Sequence, residues 1–132
     1  MNGLTHLECS RTGERYDAGE LHNLSAAGAP LLARYDLDAV AASWKRDSLA
    51  GRPADMWRYR EVMPLRPGDD IVTLGEGFTP LFRAERLGAE TGLRQLYIKD
   101  ESTNPTGSFK ARGLPAAVTA AAARGARALA IP

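Results

Sequence analysis

The amino-acid sequence predicts an α/β fold built on a parallel sheet. Residues 95–99 (QLYIK) have the composition of a short strand, residues 108–124 carry a helical run that Gly125 closes, and residues 126–131 (ARALAI) have the pattern of a buried strand. Strand, helix and strand in this order make a βαβ unit, which requires parallel strands and a right-handed crossover. One such unit cannot complete a sheet, so we expect the chain to be one piece of a larger fold.

Shorter elements precede this unit. Residues 6–36 are rich in glycine, alanine and turn formers, which predicts short strands and loops, whereas residues 37–49 have a helical spacing of apolar side chains. Residues 84–91 predict a short helix that ends at Gly92. Residues 75–80 (GEGFTP) must form a loop, because two glycines and a proline suit neither a helix nor a central strand.

The last predicted helix contains a proline, Pro115. In a helix that begins at Ser108, this proline lacks a hydrogen bond and clashes with the carbonyl of Ala111, at a cost of about 3 kcal/mol. We therefore expect a kink or a delayed start near Gly113. A start near Arg112 would place Pro115 in the first turn, where its cost is small.

The composition excludes several classes of function. The chain has 132 residues, enough for one ordinary domain, and 17 basic against 16 acidic residues give a net charge of +1, which predicts no binding to nucleic acid or to an acidic membrane. The single cysteine, Cys9, cannot form an internal disulfide or a four-thiolate zinc site, and it fits a reducing, cytoplasmic setting. We see no signal peptide, and the longest weakly polar stretch, residues 114–123, is too short to span a bilayer.

The most informative run is residues 104–113 (NPTGSFKARG), which places Lys110 in the first turn of a helix. The positive end of the helix dipole disfavours an ammonium ion there, and a lysine that is also shielded from water should lose its proton readily. A neutral amine is what imine formation requires. Ser108 and Thr106 offer hydroxyl groups that could cap the helix or bind an anion. On spacing alone, a plain cap and turn beside a solvated lysine is the commoner arrangement.

Three blocks of sequence resemble motifs of the fold type II, or β-family, pyridoxal-phosphate (PLP) enzymes. They are residues 74–81 (LGEGFTPL), 99–105 (KDESTNP) and 104–113. Their order and spacing are similar to those of the threonine synthase branch, which has a Gly-Glu-Gly-x-Thr-Pro-Leu segment and a Lys-x-Glu-x-x-Asn-Pro approach to the cofactor lysine. The resemblance implies PLP as the cofactor and an open parallel sheet with helices on both faces.

The resemblance also assigns residues to a site. It makes Lys110 the catalytic lysine, which carries PLP as a Schiff base, and it places Phe109 beside the cofactor. Thr79, Asn104 and Ser108 would belong to loops that line the pocket, although each could equally be a plain turn or cap residue. The remaining motif residues are expected to be structural: Lys99 and Glu101 at a strand end, and Arg112 and Gly113 in helix packing.

The N-terminal residues resemble the metal-binding extension of the same enzymes without its metal. Residues 9–16 (CSRTGERY) look like a Cys-x-x-Cys-Gly knuckle with threonine in place of the second cysteine, and residues 24–31 (LSAAGAPL) look like a partner knuckle with both cysteines lost. His6 and His22 could in principle join Cys9, but three scattered ligands make a poor site, so no metal is predicted. We expect three parts: a zinc-ribbon-like remnant over 1–36, a helical connector over 37–70, and the start of an incomplete PLP-binding catalytic domain over 71–132.

The resemblance implies a lyase of threonine biosynthesis, which converts O-phosphohomoserine and water to threonine and phosphate. Its substrate would be a small amino acid, and the full-length enzyme could form a homodimer. The family's phosphate-binding loop and pyridine-nitrogen partner lie outside this sequence, so we expect an N-terminal fragment that is inactive alone and binds PLP weakly. Many threonine synthases have aspartate in place of Ala111. This difference leaves open another β-family enzyme, such as a threonine or serine dehydratase or a cysteate synthase, and a truncated non-catalytic paralogue is a further alternative.

Overall fold

The N-terminal part of the chain forms a small antiparallel sheet, as the short predicted strands indicated. The computed structural model describes residues 2–130. Three strands pair in the order β2-β1-β3, and the central strand aligns Leu7 with both Tyr16 and Ala33. The strands are β1 (Leu4–Cys9), β2 (Arg15–Tyr16) and β3 (Leu31–Tyr35).

Two tight turns at one end of this sheet bring the two predicted knuckles together. The Gly13 nitrogen donates to the Cys9 oxygen at 3.0 Å in the first turn, and the Gly28 nitrogen donates to the Ser25 oxygen at 2.9 Å in the second. The buried Cys9 Sγ lies 3.1 Å from Ser25 Oγ, so a hydroxyl occupies the place facing the thiol. His22 is engaged elsewhere, since its Nε2 lies 2.9 Å from the Asp17 oxygen. Within residues 2–130 no group of three His, Cys, Asp or Glu side chains is arranged to hold a metal ion.

The predicted helix over residues 37–49 is only half formed. Helix α1 covers Leu37–Ser43, and the Asp36 side chain caps it by accepting from the Ala39 nitrogen at 2.8 Å. Trp44 is extended, and a separate 3-10 helix follows over Arg46–Leu49. The prediction was wrong beyond Ser43, whose hydroxyl donates back to the Ala39 oxygen at 3.1 Å, a contact that weakens and often bends a helix.

The main hydrophobic cluster lies where the connector meets the last helix. It contains Met56, Trp57 and Leu65, with Met63 and Ala116 packed against it. Met56 and Trp57 belong to a second 3-10 helix, over Met56–Val62. The core therefore joins the connector to the segment that carries the cofactor-lysine motif.

The motif-bearing half of the chain contains a two-stranded antiparallel ribbon and two helices. Strand β4 (Leu81–Arg83) pairs with β5 (Tyr97–Lys99), and helix α2 (Glu85–Thr91) connects them. Gly92 ends α2 in the left-handed conformation, at φ 74°, which confirms the predicted helix and its stop. Residues 75–80 contain no helix or strand, as predicted.

The predicted parallel sheet is not formed within residues 2–130. Residues 126–130 are neither helix nor strand, and Leu129 is exposed, whereas the end of the predicted strand, residue 131, lies outside the described residues. A strand needs a hydrogen-bonded neighbour, and β4, antiparallel, is the neighbour of β5 in the described part of the chain. The βαβ prediction was therefore wrong for these residues, although the mixed α/β character is confirmed.

Helix α3 covers Lys110–Ala123 and includes Pro115 in its interior. A start delayed to Arg112 or Gly113 was a wrong prediction, because the Ala111 nitrogen already donates to the Ser108 oxygen at 3.2 Å. Pro115 is buried, so it packs inward although its ring cannot donate to the preceding turn. None of the helices within residues 2–130 is long and apolar enough to cross a membrane.

The two ends of the described chain are tied together by arginine side chains. Arg124, directly after α3, donates from Nε to the Ala18 oxygen at 2.7 Å. Arg66 donates from Nη2 to the Ala123 oxygen at 3.4 Å. The loop after β2 and the connector are thus anchored to the far end of the helix that begins at Lys110.

Candidate active site around Lys110

Lys110 is the first residue of α3, and its side chain is exposed. Its backbone nitrogen donates to Ser108 Oγ at 3.3 Å, so Ser108 caps the start of the helix. The neighbouring Phe109 ring is also open, with 66% of its surface exposed. The described residues therefore do not shield the Lys110 amine from water. The expectation that this amine loses its proton readily rested in part on such shielding.

A tight turn leads into this helix. The Gly107 nitrogen donates to the Asn104 oxygen at 2.7 Å, and Gly107 adopts φ 66°, which favours glycine. Asn104 itself is buried, and its side chain holds two loops together: Oδ1 accepts from the Gly77 nitrogen at 3.0 Å, and Nδ2 donates to Glu101 Oε2 at 3.0 Å. Asn104 is thus fully engaged in loop structure.

An ion pair between Glu101 and Arg112 lies at the centre of the three motif blocks. Arg112 Nε donates to Glu101 Oε2 at 2.6 Å, and Nη2 donates to Oε1 at 2.8 Å, which is a two-point fit of guanidinium to carboxylate. The buried Thr79 hydroxyl donates to Glu101 Oε1 at 2.5 Å and accepts from Arg112 Nη2 at 3.1 Å. One carboxylate therefore joins the 75–80 loop, the turn after β5 and the first turn of α3.

This environment strongly favours the ionised form of Glu101. Hydrogen bonds from Arg112 first, and then from Thr79 and Asn104, lower the pKa of Glu101 from 4.5 to about 2. The same pairing raises the pKa of Arg112. The pair is therefore charged across the physiological pH range.

The charged cluster borders an open cleft of about 540 Å³. Lys99 Nζ donates to the Thr79 backbone oxygen on one side of it. The lining residues are Tyr59, Phe78, Thr79, Lys99, Glu101 and Arg112. Of the predicted site residues, Thr79 lines this cleft, whereas Lys110, Phe109, Asn104 and Ser108 are not among its lining residues.

Glu76 is a structural residue that the sequence analysis did not single out. It is fully buried, and its carboxylate accepts from Trp57 Nε1 at 2.8 Å, from the Leu74 nitrogen at 2.7 Å and from Thr73 Oγ1 at 3.0 Å. It fixes the 75–80 loop to the hydrophobic core. The signal in the sequence was an acidic residue between two glycines in a turn, a place where a carboxylate can accept from its own loop.

Gly77 fits the same loop closely against the connector. It adopts φ 100°, and a Cβ at this position would lie 2.6 Å from the Met56 nitrogen. Any side chain would therefore displace backbone, which is why this position of the motif requires glycine.

The residues present fit a covalent attachment point for PLP. The Lys110 amine is accessible, it starts a helix, and the exposed aromatic ring of Phe109 stands beside it in the chain. PLP enzymes require a lysine amine that can reach the cofactor carbonyl carbon.

Comparisons with known proteins agree with these motifs. Residues 72–131 match the family described as pyridoxal-phosphate dependent enzyme. The threonine synthase of Methanocaldococcus jannaschii is 39% identical over 113 residues, which are 86% of this chain and 28% of that protein. The threonine synthase of Methanosarcina acetivorans is 34% identical over 119 residues, 89% of this chain and 28% of that protein. The threonine synthase of Mycobacterium leprae is 51% identical over 79 residues, 58% of this chain and 21% of that protein.

The matched region covers the three motif blocks, and the chain spans about 28% of the length of the first two relatives. No solved structure matches the chain. Residues 72–131 therefore match the pyridoxal-phosphate-dependent enzyme family, and the chain is similar to a section of threonine synthases.

Proposed function

We propose that this chain is a section of a threonine synthase-like PLP enzyme and that Lys110 holds the cofactor. The observation that carries the proposal is the position of Lys110. Lys110 is exposed at the start of α3. The Glu101–Arg112 pair connects this first turn to the other two motif blocks, residues 74–81 and 99–105. A solvated lysine on an ordinary helix would need no such convergence of three separate segments.

PLP, when bound, supplies an electron sink for bonds at the substrate's α-carbon. Lys110 would hold the cofactor and, as a free amine, would move the proton at that carbon. The exposed Phe109 ring would contact apolar surface of the cofactor. Ser108 would keep the first turn of α3 in place through its hydrogen bond to the Lys110 nitrogen.

The reaction we assign to the full-length protein is the conversion of O-phosphohomoserine and water to threonine and phosphate. The test is product analysis of the full-length protein with O-phosphohomoserine in one reaction and with threonine or serine in another. Release of phosphate together with threonine, abolished in Lys110→Ala, is the expected result. A keto acid formed from threonine or serine would instead identify a dehydratase of the same family.

The 132 residues alone are expected to be inactive. Both Lys110 and Phe109 are exposed, so nothing among residues 2–130 encloses the cofactor or excludes water from it. Turnover of O-phosphohomoserine by the purified 132-residue chain would contradict this expectation. Inactivity of the full-length protein as well would favour a non-catalytic paralogue.

We also propose the division of the chain into parts: a metal-free zinc-ribbon-like remnant over 1–36, a connector over 37–70, and the start of the catalytic domain over 71–132. The close approach of Cys9 and Ser25 supports the first part, because it joins the two turns that a knuckle pair would join. Stoichiometric zinc in the purified protein would overturn the metal-free assignment. A homodimer of the full-length enzyme and a cytoplasmic location, which the single cysteine favours, stay predictions.

A further inference from the structure

We propose that Arg112, held by Glu101, is a positioning residue that sets the orientation of Lys110. This inference rests on the proposed role of Lys110 as the cofactor lysine. Neither Glu101 nor Arg112 would contact the cofactor. Their effect would be exerted through the backbone of the first turn of α3, in which Lys110 is the first residue and Arg112 the third.

The helix geometry makes Arg112 an effective constraint on Lys110. Successive residues of an α-helix are about 100° apart around the axis, so two residues separated by one other point about 200° apart. Arg112 faces inward to Glu101, and Lys110 faces outward to solvent. Any rotation of the first turn that moves Lys110 must therefore break the two-point contact on the opposite side.

The first turn has little other support. The residue before the helix, Phe109, makes no side-chain cap, and the hydrogen bond from the Lys110 nitrogen to Ser108 Oγ is long, at 3.3 Å. Gly113 lowers the helix propensity of this turn, and Pro115 cannot donate to the Ala111 carbonyl. The helix start is intrinsically weak, so its order depends on contacts outside the helix.

The Glu101–Arg112 pair is anchored well enough to supply that order. Glu101 also accepts from the Thr79 hydroxyl and from Asn104 Nδ2, so the carboxylate is held by three side chains. Arg112 matches it with the planar fork that lysine lacks. Replacement of Arg112 by lysine should therefore keep the charge and lose most of the positioning.

The chain offers an internal reference for the test, because Lys45, Lys99 and Lys110 are its three lysines. Lys45 is exposed and lies in the connector, away from the cluster. The purified 132-residue chain is treated with PLP and cyanoborohydride, which reduces the carbon–nitrogen double bond formed with an amine to a stable secondary amine. Peptide mass spectrometry then gives the ratio of modified Lys110 to modified Lys45 for each protein.

The variants are Arg112→Gln, Arg112→Lys, Glu101→Gln and the double variant Glu101→Gln/Arg112→Gln. The control is Arg34→Gln, which breaks another arginine–glutamate pair, with Glu8 in the N-terminal sheet, where both Arg34 nitrogens donate to one carboxylate oxygen. In the wild-type chain we expect Lys110 to be modified in preference to Lys45. Arg112→Gln should lower the ratio about threefold to tenfold, a modest part of the loss that misplacement of a reacting group by 1 Å can cause.

The single and double variants together test whether Glu101 and Arg112 affect the labelling ratio through the same contact. Glu101→Gln and the double variant should give the same loss as Arg112→Gln, because residues that act through one contact are not additive. Arg34→Gln should leave the ratio at the wild-type value. Circular dichroism of each protein shows whether it is folded. Should Arg112→Gln unfold the chain, Arg112→Lys is compared instead.

Different outcomes bear on the positioning proposal and on the proposed function beneath it. Attachment of the cofactor to a residue other than Lys110 in the full-length protein would contradict the cofactor role. Equal modification of Lys110 and Lys45 in the wild-type 132-residue chain would overturn the positioning role, because the ion pair would then give Lys110 no advantage. Preferential modification of Lys110 that is unchanged in folded Arg112→Gln, or in Arg112→Lys where that variant replaces it, would overturn the positioning role alone.

Discussion

Replacement of Glu76 by alanine should destabilise the chain strongly, because its buried carboxylate holds the motif loop to the core. The substitution removes three hydrogen bonds, to Trp57 Nε1, the Leu74 nitrogen and Thr73 Oγ1. A hydrogen bond to a charged group contributes about 1.5–3 kcal/mol, and an unsatisfied buried donor such as the Trp57 indole costs about 1–3 kcal/mol. Relief of the buried carboxylate offsets part of this loss, so we expect a decrease of about 3 kcal/mol in the free energy of unfolding.

Glu76→Gln provides a graded comparison. The amide oxygen can still accept from the indole, but the amide nitrogen cannot accept from the donors that face the other carboxylate oxygen, so we expect a smaller loss of about 1–2 kcal/mol. Urea unfolding followed by circular dichroism and tryptophan fluorescence measures both values. Glu90→Ala, on the exposed surface of α2, is the control and should change stability by less than about 0.5 kcal/mol. A loss of that small size for Glu76→Ala would refute the reasoning.

Three further predictions concern other contacts. Arg52→Ala should lower the free energy of unfolding by about 3 kcal/mol in urea titrations. The substitution leaves the buried Glu61 carboxylate without the guanidinium that contacts both its oxygens. An unchanged free energy of unfolding would mean that water replaces the arginine. The Phe78 backbone, at φ 51°, already occupies the left-handed region. Phe78→Val should therefore lower the melting temperature more than Phe78→Asn, by an amount equivalent to about 1–2 kcal/mol. Equal melting temperatures of the two variants would contradict backbone strain at this position. The Glu101 carboxyl, whose pKa falls from 4.5 to about 2 in the folded chain, contributes stability that is complete above pH 4.5 and is lost as pH falls through 2. Arg112→Gln should reduce this dependence of the free energy of unfolding on acid pH. If the wild-type chain and Arg112→Gln lose stability in parallel as pH falls, the Glu101–Arg112 pair is not its source.

Local signals in the sequence were sufficient for some elements. Helix α2 and its end at Gly92 follow from an apolar period and a glycine that takes the left-handed conformation, both of which depend on neighbouring residues only. The loop over residues 75–80 follows from glycine and proline for the same reason. The position of Lys110 in the first turn of α3 was also predicted, because the turn at Gly107 fixes where the helix can begin, whereas the shielding of its amine was not found among the described residues.

Elements that depend on distant partners were not predictable in this way. A strand over residues 126–131 needs a neighbouring strand, and no local pattern tells whether one is present. The helix predicted over residues 37–49 ends at Ser43 for a more local reason that apolar spacing does not reveal: the Ser43 hydroxyl donates back to the Ala39 carbonyl, which weakens the helix.

The candidate site shows the same distinction. Lys110 was proposed as the cofactor lysine from a run of ten residues, whereas the pairing of Glu101 with Arg112, which joins residues 11 apart across a turn and a helix start, was not predicted. The burial of Glu76 depends on Trp57, 19 residues away. The polar residues of the motif blocks therefore include an exposed amine, Lys110, and buried structural side chains, Glu76, Thr79 and Asn104.

The central claim is that Lys110 is the residue that carries PLP. The most direct measurement is borohydride reduction of the full-length protein purified with its cofactor, followed by peptide mass spectrometry to locate the modified lysine. If Lys110 carries PLP, a phosphopyridoxyl group is expected on Lys110, with Lys45 and Lys99 unmodified. Modification of Lys99 in place of Lys110, or a bound cofactor attached to no lysine of this chain, would contradict it.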